Sequence, residues 1–220
     1  IAAAREEYKR LYGFASSYDP TVGANVPNGV KILNAPVKNG DYRYQAELER
    51  YEYAKTLRNT SRGQQAIDDA SANAENSCKI FSEVTGVTLS ATSTPSIYAL
   101  FEKIGTYTTQ ISNTVRYAYF RPRPFVELYD PTPLPWKEEY YKTSSSFPSG
   151  HACYAWALAL ALVEVSPTYQ NQILARAYNF GYNREVVGFH WATDIDAGRQ
   201  LASVIIAYLH TNKEFNDLIK

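Results

Sequence analysis

Two of the three histidines in this 220-residue sequence stand where residue type and spacing could support catalysis. His190 and Asp194 are four residues apart, so on a helix their side chains would share one face and could form a hydrogen bond. A carboxylate on one imidazole nitrogen fixes the tautomer and leaves the other nitrogen available as a nucleophile or a base. The same spacing is also typical of a surface His–Asp pair or of a buried histidine whose hydrogen bonds are satisfied. The adjacent Trp191 is expected to pack rather than react.

The second histidine ends the tetrapeptide Pro148-Ser149-Gly150-His151, which lies where a loop meets an apolar helical stretch. Serine is a favoured N-cap, and glycine allows the backbone to approach a ligand closely. The free N–H groups of a helix N-terminus bind phosphate-like anions. A histidine placed there could give a proton to a leaving group. The alternative interpretation is an ordinary N-cap followed by a histidine without a chemical role.

Arginines near these segments could bind the oxygens of an anion. Arg116, Arg123 and Arg184 are the candidates, because a guanidinium can bind two oxygens at once. Arg116 and Arg123 are seven residues apart, about two helical turns, so they would share a face if the helix continued that far. Scattered arginines are more often surface residues, and that is the expectation for Arg121 and Arg176.

The elements that must position these residues are predicted to be helical, because apolar residues recur at helical spacing and no segment alternates like a strand. The stretch 150–165 is apolar nearly all round, which is typical of a buried central helix. We therefore expect an all-α fold, a single-domain helical bundle over residues 1–220 with an irregular N-terminal arm at 1–40 and the motifs at 116–194. A Pro-rich loop is expected at 130–147. Helices are predicted at 3–12, 42–59, 64–84, 96–119, 150–165, 168–182 and 192–211.

Composition excludes several classes of protein. Lys plus Arg equals Asp plus Glu at 22 each, so nothing favours a general nucleic-acid binder. No run approaches the roughly 20 apolar residues of a membrane span. Cys78 and Cys153 could form one disulfide or remain two buried thiols, and alone they make no metal site. The sequence contains no methionine, which suggests a processed chain; a removed export signal and simple trimming both fit.

Taken together and in order, the three segments resemble the three-part signature of the type 2 phosphatidic acid phosphatase superfamily. Within that superfamily the chain resembles the bacterial class A non-specific acid phosphatases. That signature is Lys-x6-Arg-Pro, then Pro-Ser-Gly-His, then Ser-Arg-x5-His-x3-Asp. The matching residues are Arg116-x6-Arg123-Pro124, the complete Pro148-Ser149-Gly150-His151, and Asn183-Arg184-x5-His190-x3-Asp194. Arg116 thus stands where the family has lysine, and Asn183 where it has serine.

The resemblance implies a metal-independent acid phosphatase without a cofactor. His190 would attack phosphorus and form a phosphohistidine, and Asp194 would hold its tautomer. His151 would protonate the leaving oxygen and then activate water, so activity is expected to fall above about neutral pH as a histidine of pKa ~6.5 loses its proton. The residues implied to bind the phosphate oxygens are Arg116, Arg123, Ser149, Gly150 and Arg184.

The expected substrates are small phosphomonoesters such as nucleotides, sugar phosphates, aryl phosphates or phosphotyrosine. Tyr140, Tyr141 and Phe147, in the loop before the second motif, are the predicted substrate contacts. The resemblance further implies inhibition by phosphate-like oxyanions such as vanadate, a homodimer, and a periplasmic or secreted location. Two alternatives stay open: a vanadate-dependent haloperoxidase that uses the same site, and a helical phosphate-binding protein without catalysis.

Overall fold

The computed structural model describes residues 26–220, and all regular structure within that range is helical. This confirms the predicted all-α class. A 3-10 turn at Pro167–Tyr169 accompanies the α-helices. The α-helices are α1 (Gly29–Ile32), α2 (Tyr44–Thr56), α3 (Ser61–Asp68), α4 (Ala74–Thr85), α5 (Pro95–Ala118), α6 (Pro124–Glu127), α7 (Pro135–Tyr141), α8 (Gly150–Val165), α9 (Gln170–Val186), α10 (Ala192–Leu209) and α11 (Lys213–Ile219).

The predicted central helix is α8, and it has the predicted bounds. Apolar residues occur all round this helix, and they are buried because α5, α9 and α10 pack against it from different sides. Ser149 is its N-cap, and the Ser149 hydroxyl accepts a hydrogen bond from the Ala152 N–H at 3.3 Å. Burying this helix on all sides fixes its N-terminus, which carries the second motif, in the interior of the bundle.

The predicted helix at 64–84 is in fact two helices, α3 and α4. The interruption has a local cause, since the Asn73 side chain accepts a hydrogen bond from the Asn76 N–H at 2.8 Å and so begins a new helix. Likewise Thr60 caps α3 through the Arg62 N–H at 3.1 Å. The segment 60–63, expected to be a break, is therefore the start of α3.

Three further differences concern short elements. The Pro-rich loop contains α7, which begins with Pro135 at its first position, where the missing N–H costs nothing. The C-terminal α11 was not predicted. The arm includes α1, capped by the Asn28 side chain, while the predicted helix at 3–12 lies outside the described residues.

Neither cysteine takes part in a disulfide: Cys78 and Cys153 are buried free thiols. Of the two arrangements that the sequence left open, the structure has the second. No helix between residues 26 and 220 combines the length and apolar character that crossing a bilayer requires.

Candidate active site

The three motifs meet at one pocket because each occupies the end of a helix. Arg123 is the N-cap of α6, His151 is in the first turn of α8, and Arg184 is in the last turn of α9. His190 lies in the connection between α9 and α10. The pocket and its open mouth together contain about 200 Å³ of space free of protein atoms. Its lining residues are Ala70, Arg123, Lys137, Tyr141, His151, Arg184, Phe189 and His190.

Both nitrogens of the buried His190 ring have close partners. Nδ1 is 2.8 Å from the Ser146 carbonyl oxygen, and a carbonyl only accepts, so Nδ1 carries the proton. Nε2 is 3.1 Å from Arg123 Nη1 and is therefore the unprotonated nitrogen, turned toward the pocket. Gly188, at φ +82°, makes the left-handed turn after α9 that brings the chain to this position.

Asp194 lies beside His190 at a longer distance than the spacing predicts. Its Oδ2 is 3.7 Å from His190 Nδ1, too far for a hydrogen bond, because α10 starts only at Ala192 and His190 precedes the helix. Asp194 Oδ2 instead accepts the Trp191 N–H at 2.8 Å. The predicted hydrogen bond that holds the tautomer is thus made by the Ser146 carbonyl, and Asp194 adds a nearby negative charge.

A buried ion cluster supports Asp194 from behind. Arg121 donates to Asp194 Oδ1 at 2.6 Å and pairs with both oxygens of Glu47. Thr193 also binds Glu47, through its N–H at 3.0 Å and its hydroxyl at 2.5 Å. The expectation that Arg121 is a surface residue was wrong: it is 3% exposed, and its guanidinium lies 5.1 Å from the Trp191 ring.

The cluster controls the charges next to His190. Burial alone would raise the pKa of Asp194, but the Arg121 guanidinium holds it below its usual value. Burial alone would likewise lower the pKa of Arg121, yet Asp194 and Glu47 raise it. Each group thus favours the charged form of the other.

Arg123 is held in one orientation by main-chain and hydroxyl acceptors. Its Nη1 donates to the Phe189 carbonyl at 3.0 Å, and its Nη2 donates to the Ser144 hydroxyl at 3.0 Å. The guanidinium also lies 4.5 Å from the centre of the Tyr141 ring. A guanidinium fixed this way presents its charge to the pocket without reorganisation.

His151 has a simpler environment than His190. Its Nε2 is 3.2 Å from the Ala70 carbonyl, so that nitrogen carries a proton at the pocket wall. Its ring stacks on Phe180 with 6.1 Å between centroids. Burial and the positive charge of Arg184 lower the pKa of His151 well below its ordinary value.

Arg184 is 1% exposed and carries its charge into the pocket. One terminal nitrogen donates to the Ala66 carbonyl, and among residues 26–220 its buried Nε has no hydrogen-bond partner. Burial lowers its pKa to about 10, so it remains a cation. An anion in the pocket would supply the partner that this guanidinium lacks.

Asn183, the departure from the family serine, helps to hold α9 against α3. Its amide donates to Asp69 Oδ2 at 2.7 Å. Arg176 binds the same carboxylate with two hydrogen bonds, of 2.9 and 2.6 Å. The expectation that Arg176 is a free surface residue was therefore wrong, since it neutralises the buried Asp69.

Arg116, Ser149 and Gly150 lie together at the start of α8 but outside the pocket lining. Arg116 donates to the Asn113 side chain at 2.9 Å and to the Pro148 carbonyl at 3.3 Å. A Cβ on Gly150 would overlap the Arg116 guanidinium, so glycine is what allows this approach. The predicted shared face with Arg123 does not form, because α5 ends at Ala118.

The predicted substrate contacts separate into three situations. Tyr141 lines the pocket. Tyr140 is 76% exposed and packs edge-on against Tyr141 at 4.9 Å. Phe147 is buried in the main core against Tyr119, away from the pocket, so the structure gives no support for a substrate contact there.

Several groups that form the pocket belong to none of the three motifs. Lys137 is the third cation of its lining, and the Ala70 and Ser146 carbonyls hold the two histidines. Every residue has a main-chain carbonyl, so the residue type does not show which carbonyls act as acceptors here. Only the three-dimensional structure shows it. The burial of His190, with the charge of Arg123, lowers its pKa to about 4, which keeps the ring neutral above that pH.

Comparison with known proteins agrees with the motifs. The model of the PAP2 superfamily matches residues 97–217. Non-specific acid phosphatases of Providencia stuartii and Salmonella typhimurium are each 34% identical over 192 residues, covering 86% of this chain and 76% of the relative. An acid phosphatase of Zymomonas mobilis is 28% identical over 183 residues, covering 83% of this chain and 69% of the relative. A solved structure, the transmembrane PAP2 type phosphatidylglycerolphosphate phosphatase of Bacillus subtilis, aligns with a TM-score of 0.40 at 19% identity, covering 81% of this chain and 98% of that one.

Proposed function

Because this chain belongs to the PAP2 superfamily, we propose that it is an acid phosphatase, a phosphoric monoester hydrolase of broad specificity. We further propose that it works through a phosphohistidine and without a metal ion. The observation that carries this proposal is one pocket lined by two histidines and two motif arginines. One of those histidines offers an unprotonated nitrogen, and the other a nitrogen that bears a proton.

In the first step, His190 Nε2 attacks the phosphorus of the bound ester. A new N–P bond forms while the P–O bond to the leaving group breaks, and the electron pair of that bond stays on the leaving oxygen. His151 gives its Nε2 proton to this oxygen. The Ser146 carbonyl and Asp194 stabilise the positive charge that develops on the His190 ring as it becomes phosphorylated.

In the second step, water attacks the phosphohistidine. His151, now neutral, takes a proton from that water, the N–P bond breaks, and phosphate leaves with His190 restored. His151 thus acts first as acid and then as base, which returns it to its starting state.

Fixed positive charge replaces a metal ion in this scheme. Phosphoryl transfer depends mainly on positioning and on stabilising charge at the equatorial oxygens. Arg123 and Arg184 provide that charge in the pocket. Arg116 adds to it from the start of α8, where its charge already lowers the pKa of His190. Ser149 and Gly150 contribute through the helix N-terminus that they form.

Protonation of His151 is linked to substrate. Burial and the charge of Arg184 keep its pKa low. A bound phosphate ester is an anion, and its charge opposes that of Arg184, so it raises the pKa of His151 where the acid is needed. The acid is therefore formed in the complex with substrate.

Several finer proposals follow from the family. Nucleotides, sugar phosphates, aryl phosphates and phosphotyrosine are the proposed substrates, with Tyr141 and the exposed Tyr140 next to the group that leaves. Vanadate is proposed to inhibit by occupying the phosphate position. We also propose one phosphatase domain over the whole chain, a homodimer, and a periplasmic or secreted location.

The central test is a quenched-flow reaction with p-nitrophenyl phosphate in the presence of a chelator. Turnover should persist with the chelator, and alkaline quenching should preserve a phosphoenzyme that maps to the peptide containing His190. The variant His190→Ala should form no phosphoenzyme and should show no turnover. Turnover abolished by the chelator, or a phosphoenzyme elsewhere in the chain, would overturn the mechanism.

A further inference from the structure

A lysine that belongs to none of the three motifs lies in the wall of the pocket. Lys137 and Tyr141 are four residues apart on α7, so both face the same way, and they are the lining residues that α7 contributes. The half-buried Lys137 ammonium donates to the Ala70 carbonyl with 2.9 Å between Nζ and the oxygen. That same oxygen is 3.2 Å from His151 Nε2. Lys137 therefore stands beside His151, whereas Arg123 stands beside His190.

The helix that carries Lys137 is anchored, so the ammonium has a defined position. The Thr132 N–H donates to Glu138 of α7 at 2.6 Å. Just before it, Asp130 is paired with Lys55 at 2.9 Å and with Arg58 at 3.1 Å. The two ion pairs of Asp130 attach the segment 130–138 to the last turn of α2 and to Arg58 just after it, and the Thr132–Glu138 contact fixes α7 within that segment.

The charges of the pocket lining are unbalanced. The pocket lining drawn from residues 26–220 contains three cations, Arg123, Lys137 and Arg184, and no carboxylate. Burial and the charge of Arg184 lower the pKa of Lys137 below its usual value. In the proposed function Arg123 and Arg184 bind the transferred phosphoryl group, and Lys137, beside His151, is the remaining cation of this lining.

We propose that Lys137 determines specificity by binding a second anionic group on the leaving side of the substrate, and that diphosphates are the class it favours. This rests on the proposed function, because it takes His151 as the acid that touches the leaving oxygen. In a diphosphate, the bond between the transferred phosphorus and the bridging oxygen breaks, and its electron pair stays on that oxygen. His151 supplies the proton, and the leaving group is a phosphate with its own negative charge. Lys137 keeps its proton and acts as the counter-ion of that phosphate.

The test compares pyrophosphate with phenyl phosphate in the presence of a chelator. In Lys137→Gln, the ratio of kcat/KM for pyrophosphate to kcat/KM for phenyl phosphate should fall by about tenfold to a hundredfold, the value of one hydrogen bond to a charged group. Lys137→Arg should restore most of that ratio. The matched control is Lys142→Gln, which removes one partly exposed positive charge at the C-cap of α7, where Lys142 pairs with Glu139. Its ratio should stay at the wild-type value.

Binding of unreactive analogues separates this proposal from the proposed function. By calorimetry, Lys137→Gln should weaken methylenediphosphonate by the same factor while methylphosphonate is affected much less. An unchanged ratio, or equal losses for both analogues, would show that Lys137 does not recognise the second anion. If the wild-type protein fails to hydrolyse phenyl phosphate, the phosphatase proposal fails, and the calorimetric comparison still decides the role of Lys137.

Discussion

The two histidines of the pocket have unlike surroundings. His190 is fixed by a main-chain carbonyl and by Arg123, and Asp194 beside it is backed by the buried Glu47–Arg121 cluster. His151 has one carbonyl acceptor and an aromatic ring, and its neighbour Lys137 comes from the short helix α7. In the proposed reaction every substrate presents the same phosphoryl group to His190 but a different leaving group to His151. The nucleophile therefore has more polar partners than the acid, a difference that suits an enzyme whose substrates differ only in the group that leaves.

The largest contrast is expected from removing each histidine in turn. His190→Ala should abolish formation of the phosphoenzyme for every substrate, because it removes the attacking nitrogen. His151→Ala should slow the first step by about 10²–10⁴-fold for an alkyl phosphate. It should slow p-nitrophenyl phosphate far less, because p-nitrophenolate leaves without a proton. Pre-steady-state bursts with the two substrates measure this difference in the rate of the first step. An equal loss of rate for both substrates would contradict the role of His151 as the acid that protonates the leaving group.

Loss of the Arg121 guanidinium should show how much the His190 side depends on its support. Arg121→Ala leaves two buried carboxylates, Glu47 and Asp194, without their shared cation, which should lower the free energy of unfolding by about 3–5 kcal/mol. Urea denaturation measures it. The control Arg43→Ala removes an arginine whose pair with Asp41 is at the surface, and it should leave stability unchanged. Equal effects of the two variants would contradict the role assigned to the cluster.

The pH dependence should separate the two histidines. Below a pH of about 4, His190 gains a proton and can no longer attack, so kcat/KM falls on the acid side. On the alkaline side the free enzyme loses the His151 proton at a pH well below 6.5, which gives a second falling limb and an acidic optimum. Arg184→Gln should move the alkaline limb upward, because it removes a charge that lowers the pKa of His151. A profile that stays flat through pH 8 would exclude His151 as the acid.

The smallest effect is expected where the chain departs from the family signature. Arg116→Lys keeps the positive charge but cannot bind the Asn113 side chain and the Pro148 carbonyl together. The free energy of unfolding should fall by about 0.5–1.5 kcal/mol, the net value of one hydrogen bond. Steady-state kinetics should show kcat nearly unchanged. A large fall in kcat would mean that the guanidinium contacts the transferred phosphoryl group directly.

The sequence predicted the residues that meet in the pocket better than it predicted their partners. His190, His151, Arg123 and Arg184 come together from segments far apart in the chain, as the order of the motifs suggested. The long regular helices were also predictable, because a run such as 150–165 is apolar over many turns.

What the sequence did not predict depends on contacts between distant residues. Arg121 was expected at the surface because its partner Glu47 is 74 residues away, and no local pattern in the sequence predicts that ion pair. Lys137 was missed because three prolines within 130–147 suggested a loop, whereas Pro135 starts a helix. The Ser146 carbonyl could not be predicted, since every residue has one.

One main-chain contact joins the second motif to the third. The Ser149 N–H donates to the Asp194 carbonyl at 2.9 Å, so the first turn of α8 and the first turn of α10 are attached next to both histidines. To separate His151 from His190, heat or denaturant must therefore pull apart α8 and α10, the two helices in the middle of the molecule. Inactivation on warming should therefore coincide with loss of the whole tertiary structure, and residual activity would serve as a direct gauge of the folded fraction.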